Sequence, residues 1–213
     1  IDTQKDFMDP DGALYVKDAE YIKDNLHDLT EYAEECNIKT INTADYHTDK
    51  SKEISDKPDF VNTFPPHCMV NNEGGEFIPE TYPKVFDDNY YLVNYNDSKI
   101  DEEKFHRARN IIILKDAFDV FAGNKFTDEI LMLIQKKQII EHVIIYGVAT
   151  NICVKYAVDG LLTRKFKAQL VLDATKALPG YPLEEMYSAW LNKGLRLTTT
   201  YLLGKELFDK KSS

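Results

Sequence analysis

The chain of 213 residues carries a formal net charge of −10, with 43% hydrophobic and 29% charged residues. That length and balance fit one globular domain over residues 1–213, and the acidity argues against nucleic acid or an anionic membrane as partner. No apolar run approaches the roughly 18 residues of a membrane span, and the three cysteines, with no C-x-x-C pair among them, suggest free thiols in a reducing compartment, the cytoplasm.

In chain order, Ile1 and Asp2 of "IDTQKDF" read as the last residues of a first strand whose beginning precedes this numbering. "AEYIKDNLHDLTEYAEECN" (19–37) places Ile22, Leu26, Leu29 and Ala33 on one helical face. "IKTINTAD" (38–45) is a strand. Residues 46–89 are rich in Pro, Gly, Asp and Asn and contain His47 and His67. An irregular stretch of that length inside a compact domain is expected to be functional. The stretch from Lys84 to Arg109 shows no assignable pattern until "NIIILK" (110–115), a buried strand. "TDEILMLIQKK" is a helix capped by Thr127, "HVIIYGVA" (142–149) a strand, and a helix is expected to begin near Cys153. "AQLVLDA" (168–174) is a further strand. "PLEEMYSAWLNKG" is a helix with Pro182 at its start and Gly194 at its end, and "LRLTTTYL" (195–202) is a final strand. Continuous apolar strands alternating with helices imply an α/β fold: three α-β-α layers around a mainly parallel six-stranded sheet.

Ligands bind at the carboxyl ends of strands in open parallel sheets. The polar residues there are Asp2, Asp45, His47, Lys115 and Cys153. A lone cysteine is most often a small buried hydrophobe. Here the start of a helix, a lysine and a carboxylate at neighbouring strand ends favour an activated nucleophile, with a thiolate stabilised by the helix dipole and Lys115. Asp45 and His47 alternate on an extended chain and His67 arrives from the long loop, a donor set suited to a divalent cation with open positions. His27, His106 and His142 lack such company, and Cys68 is assigned a structural role.

The strings "IDTQKDF", "TADYH", "FPPHC", "LKDAFDVF" and "GVATNICV", in this order, resemble the isochorismatase-like cysteine hydrolases and, within them, the nicotinamidase branch. The resemblance implies the fold of that family and a triad of Asp2, Lys115 and Cys153. It also implies a cis peptide at Val148–Ala149, an oxyanion hole from the N–H groups of Ala149 and Cys153, and a homo-oligomer. It assigns Asp45, His47 and His67 to a divalent metal ion, zinc first, with iron or manganese compatible. A further ligand is sought among Glu53, Asp56 and Asp59. Phe7 and Phe64 would form an apolar slot for the ring of a small carboxamide. The implied reaction is hydrolysis of nicotinamide, or a similar amide, through a Cys153 thioester. Another amide or carbamoyl hydrolase of the family, or a non-catalytic metal-binding scaffold, are the rival readings.

Overall fold

The computed structural model describes residues 1–83, 89–137, 142–180 and 182–211; the end of the irregular segment (84–88) lies outside the described residues. Six strands, β1 (Thr40–Asp45), β2 (Tyr90–Asn94), β3 (Asn110–Lys115), β4 (Val143–Val148), β5 (Ala168–Lys176) and β6 (Arg196–Thr198), are all parallel. The helices are α1 (Lys5–Met8), α2 (Lys23–Glu35), α3 (Glu102–Arg107), α4 (Val120–Gly123), α5 (Thr127–Lys137), α6 (Cys153–Thr163), α7 (Leu183–Asn192) and α8 (Thr200–Lys211).

The strands form two three-stranded ladders, ordered β1-β3-β2 and β4-β5-β6, rather than one six-stranded sheet. Ile1 and Asp2 sit between β1 and β4 and link the ladders. The Ile1 amino group donates to Tyr146 O at 2.8 Å, Val148 N donates to Ile1 O, and Asp2 N donates to Thr43 O. Gly147 accepts this close approach because it has no side chain: a Cβ there would lie 2.0 Å from Ile1 O, and its φ of +113° is one that L residues avoid. A cavity of about 300 Å³ lies beside this junction, walled by Ile41, Thr43, Ile144, Tyr146, Leu29 and Leu203.

Alternate strand residues face opposite layers, as the pleat requires. Ile111, Ile113, Ile145 and Leu170 pack with Ile130 of α5, Val154 and Val158 of α6 and Trp190 of α7. Val148 and Val171 pack on the other side with Leu26 and Leu29 of α2 and Leu203 of α8. The helical face read over Ile22, Leu26, Leu29 and Ala33 is buried throughout. The α-β-α layering expected from the sequence is present.

Several local expectations differ. β2 and α3 fall in the stretch that showed no pattern. β2 is an edge strand that buries only Tyr91 and Val93, and the Asp101 carboxylate caps α3 by accepting from Lys104 N. The final strand stops at Thr198 instead of residue 202. Asp173 accepts from both N and Oγ1 of Thr200 and so starts α8 there. Thr127 does not cap α5 through its side chain, since its hydroxyl donates to Val120 O and Asn124 O; the Asn124 side chain accepts from Phe126 N instead.

Candidate active site

Asp45 and Lys115 end adjacent strands in direct register, β1 against β3. That pairing brings the Lys115 ammonium onto Asp45 Oδ1. The same ammonium lies 2.9 Å from Asp2 Oδ2 and 4.0 Å from Cys153 Sγ, and donates to Ala117 O at 3.2 Å. Asp2 adopts a left-handed conformation (φ 49°), one that aspartate tolerates better than most residues. Its second oxygen accepts from Thr43 Oγ1 at 2.5 Å. Cys153 is the first residue of α6. A carboxylate oxygen of Asp2, one of Asp45 and the Cys153 sulfur lie within 4.8 Å of one another, and all three residues are buried.

These groups set one another's ionisation. Burial alone would lower the Lys115 pKa, but Asp2, Asp45 and the cysteine hold it well above its ordinary value. Burial would raise Asp45, yet the Lys115 ammonium holds it well below the usual carboxylate range. For Cys153, burial pushes the thiol up, Lys115 pulls it down, and Asp2 and Asp45 push it up again; the outcome lies well above the ordinary value. The sequence suggested a stabilised thiolate. Two carboxylates already face one ammonium, so a third buried anion is unfavourable, and the arrangement favours a neutral thiol at rest.

The metal candidates meet on the other side of Asp45. Its Oδ2 lies 3.7 Å from Nε2 of both His47 and His67. His67 is delivered by a loop strapped to His47: His47 N donates to Cys68 O, and Val70 N donates to His47 O. Asp6 accepts from Cys68 N at 2.7 Å and holds the turn. Cys68 itself is buried among apolar residues and lies outside this donor set. His67 Nδ1 donates to Pro65 O at 2.7 Å and His47 Nδ1 faces Asp116 Oδ1 at 3.2 Å. Both acceptors fix the ring hydrogen on Nδ1, which leaves an Nε2 lone pair on each ring. Among the described residues, the buried Nε2 of His47 has no hydrogen-bond partner. An orphaned buried nitrogen beside a carboxylate and a second imidazole fits a divalent cation, whose bonds of about 2 Å would satisfy all three donors. The residues present therefore fit the group that the sequence implies.

Of the three further carboxylates considered, Glu53 reaches this site. Its Oε2 lies 3.9 Å from His47 Nε2 and its Oε1 accepts from Phe118 N at 2.7 Å. Burial pushes its pKa up to about 7, against the pull of the Phe118 N–H and with the push of Asp45. Asp56 is exposed. Asp59 is exposed too, and its carboxylate accepts from the N–H groups of Val61, Asn62 and Thr63.

A narrow cleft leads to the sulfur, lined by Phe7, Phe64, Phe118, Ile152 and Leu178 together with His67. The Phe7 and Phe64 rings stand 5.4 and 6.2 Å from the His67 ring. The Val148–Ala149 peptide at its floor is cis. Thr150, Ile152 and Val154 donate their N–H groups to backbone carbonyls. Among the described residues, no such backbone acceptor meets the N–H of Ala149 or of Cys153.

Sequence reasoning missed Gln4 and Phe118. Gln4 is fully buried; it donates to Asp45 O and Gly75 O and accepts from Asp45 N, clamping the Asp45 backbone. A polar residue within the quoted string "IDTQ" was the available signal. Phe118, three residues after Lys115 in "LKDAFDVF", gave none beyond its place in that string.

Comparison with known proteins agrees with this fold. The curated nicotinamidase/pyrazinamidase of Mycobacterium tuberculosis is 23% identical over 197 residues, covering 89% of this chain and 92% of that protein. The pyrazinamidase of Pyrococcus horikoshii, solved in complex with zinc, superposes with a TM-score of 0.70 at 22% identity, covering 93% of this chain and 95% of that one. The N-carbamoylsarcosine amidase of Thermoplasma acidophilum gives 0.67 at 18% identity, over 93% and 92%. The Isochorismatase domain profile matches residues 94–200, half of the chain, and the protein belongs to the isochorismatase family.

Proposed function

We propose that the protein is a cysteine-dependent amidohydrolase that converts nicotinamide, or a similar small carboxamide, to the acid and ammonia. The observation that carries this reading is the convergence of Asp2, Lys115 and Cys153 on one side of Asp45 with His47 and His67 on its other side.

In this reading Asp2 removes the proton from the Cys153 thiol as the sulfur attacks the amide carbon. A resting neutral thiol needs such a base at the moment of attack. The N–H groups of Ala149 and Cys153 donate to the oxyanion that forms, each worth about 3–4 kcal/mol in comparable sites. Asp2 then returns the proton to the departing ammonia, and the acyl group stays on sulfur as a thioester. Water, deprotonated by Asp2, attacks the thioester and releases the acid and the thiol. Lys115 compensates the negative charge that moves between Asp2 and the sulfur. Asp45, His47 and His67 would hold a divalent ion (zinc, iron or manganese), which supplies a Lewis-acid anchor for a basic atom of the substrate ring. Phe7, Phe64 and Phe118 give the flat, apolar walls that suit an uncharged aromatic amide.

Ammonia release from nicotinamide, pyrazinamide and N-carbamoyl amino acids, measured for the wild type and Cys153→Ala, tests this. Activity on the aromatic amides that disappears in Cys153→Ala is the expected result. Turnover confined to the carbamoyl compounds would move the assignment to that branch, where the N-carbamoylsarcosine amidase likeness points. Metal binding with no ammonia from any compound would leave a non-catalytic scaffold, and wild-type turnover by Cys153→Ala would exclude covalent catalysis at this sulfur.

A further inference from the structure

The two imidazoles of the donor set are oriented by different acceptors. His67 leans on the neutral carbonyl of Pro65, while His47 meets the carboxylate of Asp116 at 3.2 Å. Asp116 follows Lys115 directly and is fixed by its own backbone, its N–H donating to Gly123 O at 3.1 Å. Its side chain is about one-third exposed (32%), whereas the His47 side chain is fully buried (0%). The carboxylate thus reaches inward from the rim to the far nitrogen of a buried ring whose near nitrogen, Nε2, is orphaned.

From this geometry we infer that Asp116 is a positioning residue for the metal site. It accepts from His47 Nδ1–H, locks the ring in the tautomer that points a lone pair at Asp45, and makes that nitrogen a stronger donor. The physical ground is general. A carboxylate on the distal N–H of a ligating histidine fixes tautomer and orientation and raises ligand basicity, and loss of such a partner lowers metal affinity about 10–100-fold. His67, whose partner is an uncharged carbonyl, lacks that extra basicity. The stronger arm of the site is therefore His47, held by the first residue after the strand that ends in Lys115. A buried His47 without Asp116 would be free to exchange tautomers or to turn its ring, and the lone pair would face Asp45 for only part of the time.

The inference rests on the reading of Asp45, His47 and His67 as a metal site, and one experiment separates the two. Purified protein is stripped with chelator and titrated with zinc against a competing chelating dye, and separately with cobalt(II) followed by its visible absorption. Wild type, Asp116→Ala and Asp116→Asn are compared, each with a melting temperature recorded metal-free. One ion bound by the wild type, about 10–100-fold weaker zinc binding by Asp116→Ala with an altered cobalt band, and an intermediate loss in Asp116→Asn are expected. The asparagine oxygen still accepts from Nδ1–H but carries no charge. Metal-free melting temperatures should stay together. A wild type that binds no ion overturns the metal site itself. A wild type that binds, with Asp116→Ala equal to it, overturns the role of Asp116 alone. So does an affinity loss that appears only alongside a fall in metal-free melting temperature.

Discussion

Replacing Lys115 by methionine keeps the length of the side chain and removes its charge. In the native site that charge lies 2.9 Å from Asp2 Oδ2 and in direct contact with Asp45. At an effective dielectric of about 20, a pair at 2.9 Å attracts by about 6 kcal/mol before desolvation is counted. Removing one partner of a buried ion pair costs about 3–5 kcal/mol, because the remaining charge is left uncompensated. For a chain of this length each kcal/mol lowers the melting temperature by about 2–4 °C, so metal-free Lys115→Met should melt about 6–20 °C below the wild type at pH 7.5. The pH dependence has a definite sign. In the wild type, Asp45 is held below its ordinary value of 3.8 and Lys115 above 10.5. The stability they contribute is therefore complete between those values. It is lost as pH falls through the folded value of Asp45 or rises through that of Lys115. In the variant a buried carboxyl without its cation has a raised folded pKa, and such a group destabilises progressively as pH rises above the unfolded value. Lowering the pH from 7.5 to 5.5 should return up to about 2.7 kcal/mol of the loss, at 1.36 kcal/mol per unit. Thermal melts of metal-free protein at both pH values provide the assay. A melting temperature within about 2 °C of wild type, or a deficit identical at the two pH values, would refute the claim that this ammonium compensates the charge of the buried carboxylates.

Three further outcomes follow from packing and ligation. Gly123→Ala would set a Cβ 2.8 Å from Ala117 N and 3.0 Å from Lys115 Cβ; the displaced turn should lower kcat more than it raises KM, read by steady-state kinetics. Trp190→Ala, which removes a buried indole bonded to Asp159 at 3.1 Å, should cost about 3–5 kcal/mol in a urea melt and leave metal content unchanged. His47→Ala should abolish stoichiometric zinc binding, measured by metal analysis after gel filtration, while the fold persists by circular dichroism.

The sequence carried the layered architecture because its buried strands are continuous apolar runs, and it carried the polar strand ends because parallel topology brings those ends together. Register then did what spacing could not state, since only the pairing of Asp45 with Lys115 turns two distant residues into one ion pair. The edge strand β2 escaped notice because it is short and buries only Tyr91 and Val93, which leaves little periodic signal. The last strand was overextended because "TTTYL" has strand composition, while the Asp173 carboxylate that starts α8 lies 27 residues upstream. The protonated sulfur was out of reach for a related reason. Helix position and a nearby lysine argue for a thiolate, and only the three-dimensional count of carboxylates around Lys115 reverses it.

Asp45 turns one oxygen to an ammonium and the other to two imidazoles. On the reading given above, neither half of the centre can drift alone over evolutionary time. A descendant that abandons the ion must find a new companion for the inner oxygen's twin, and one that abandons Lys115 leaves an unshared anion facing the ion. Descendants of this chain should therefore keep both halves or shed both.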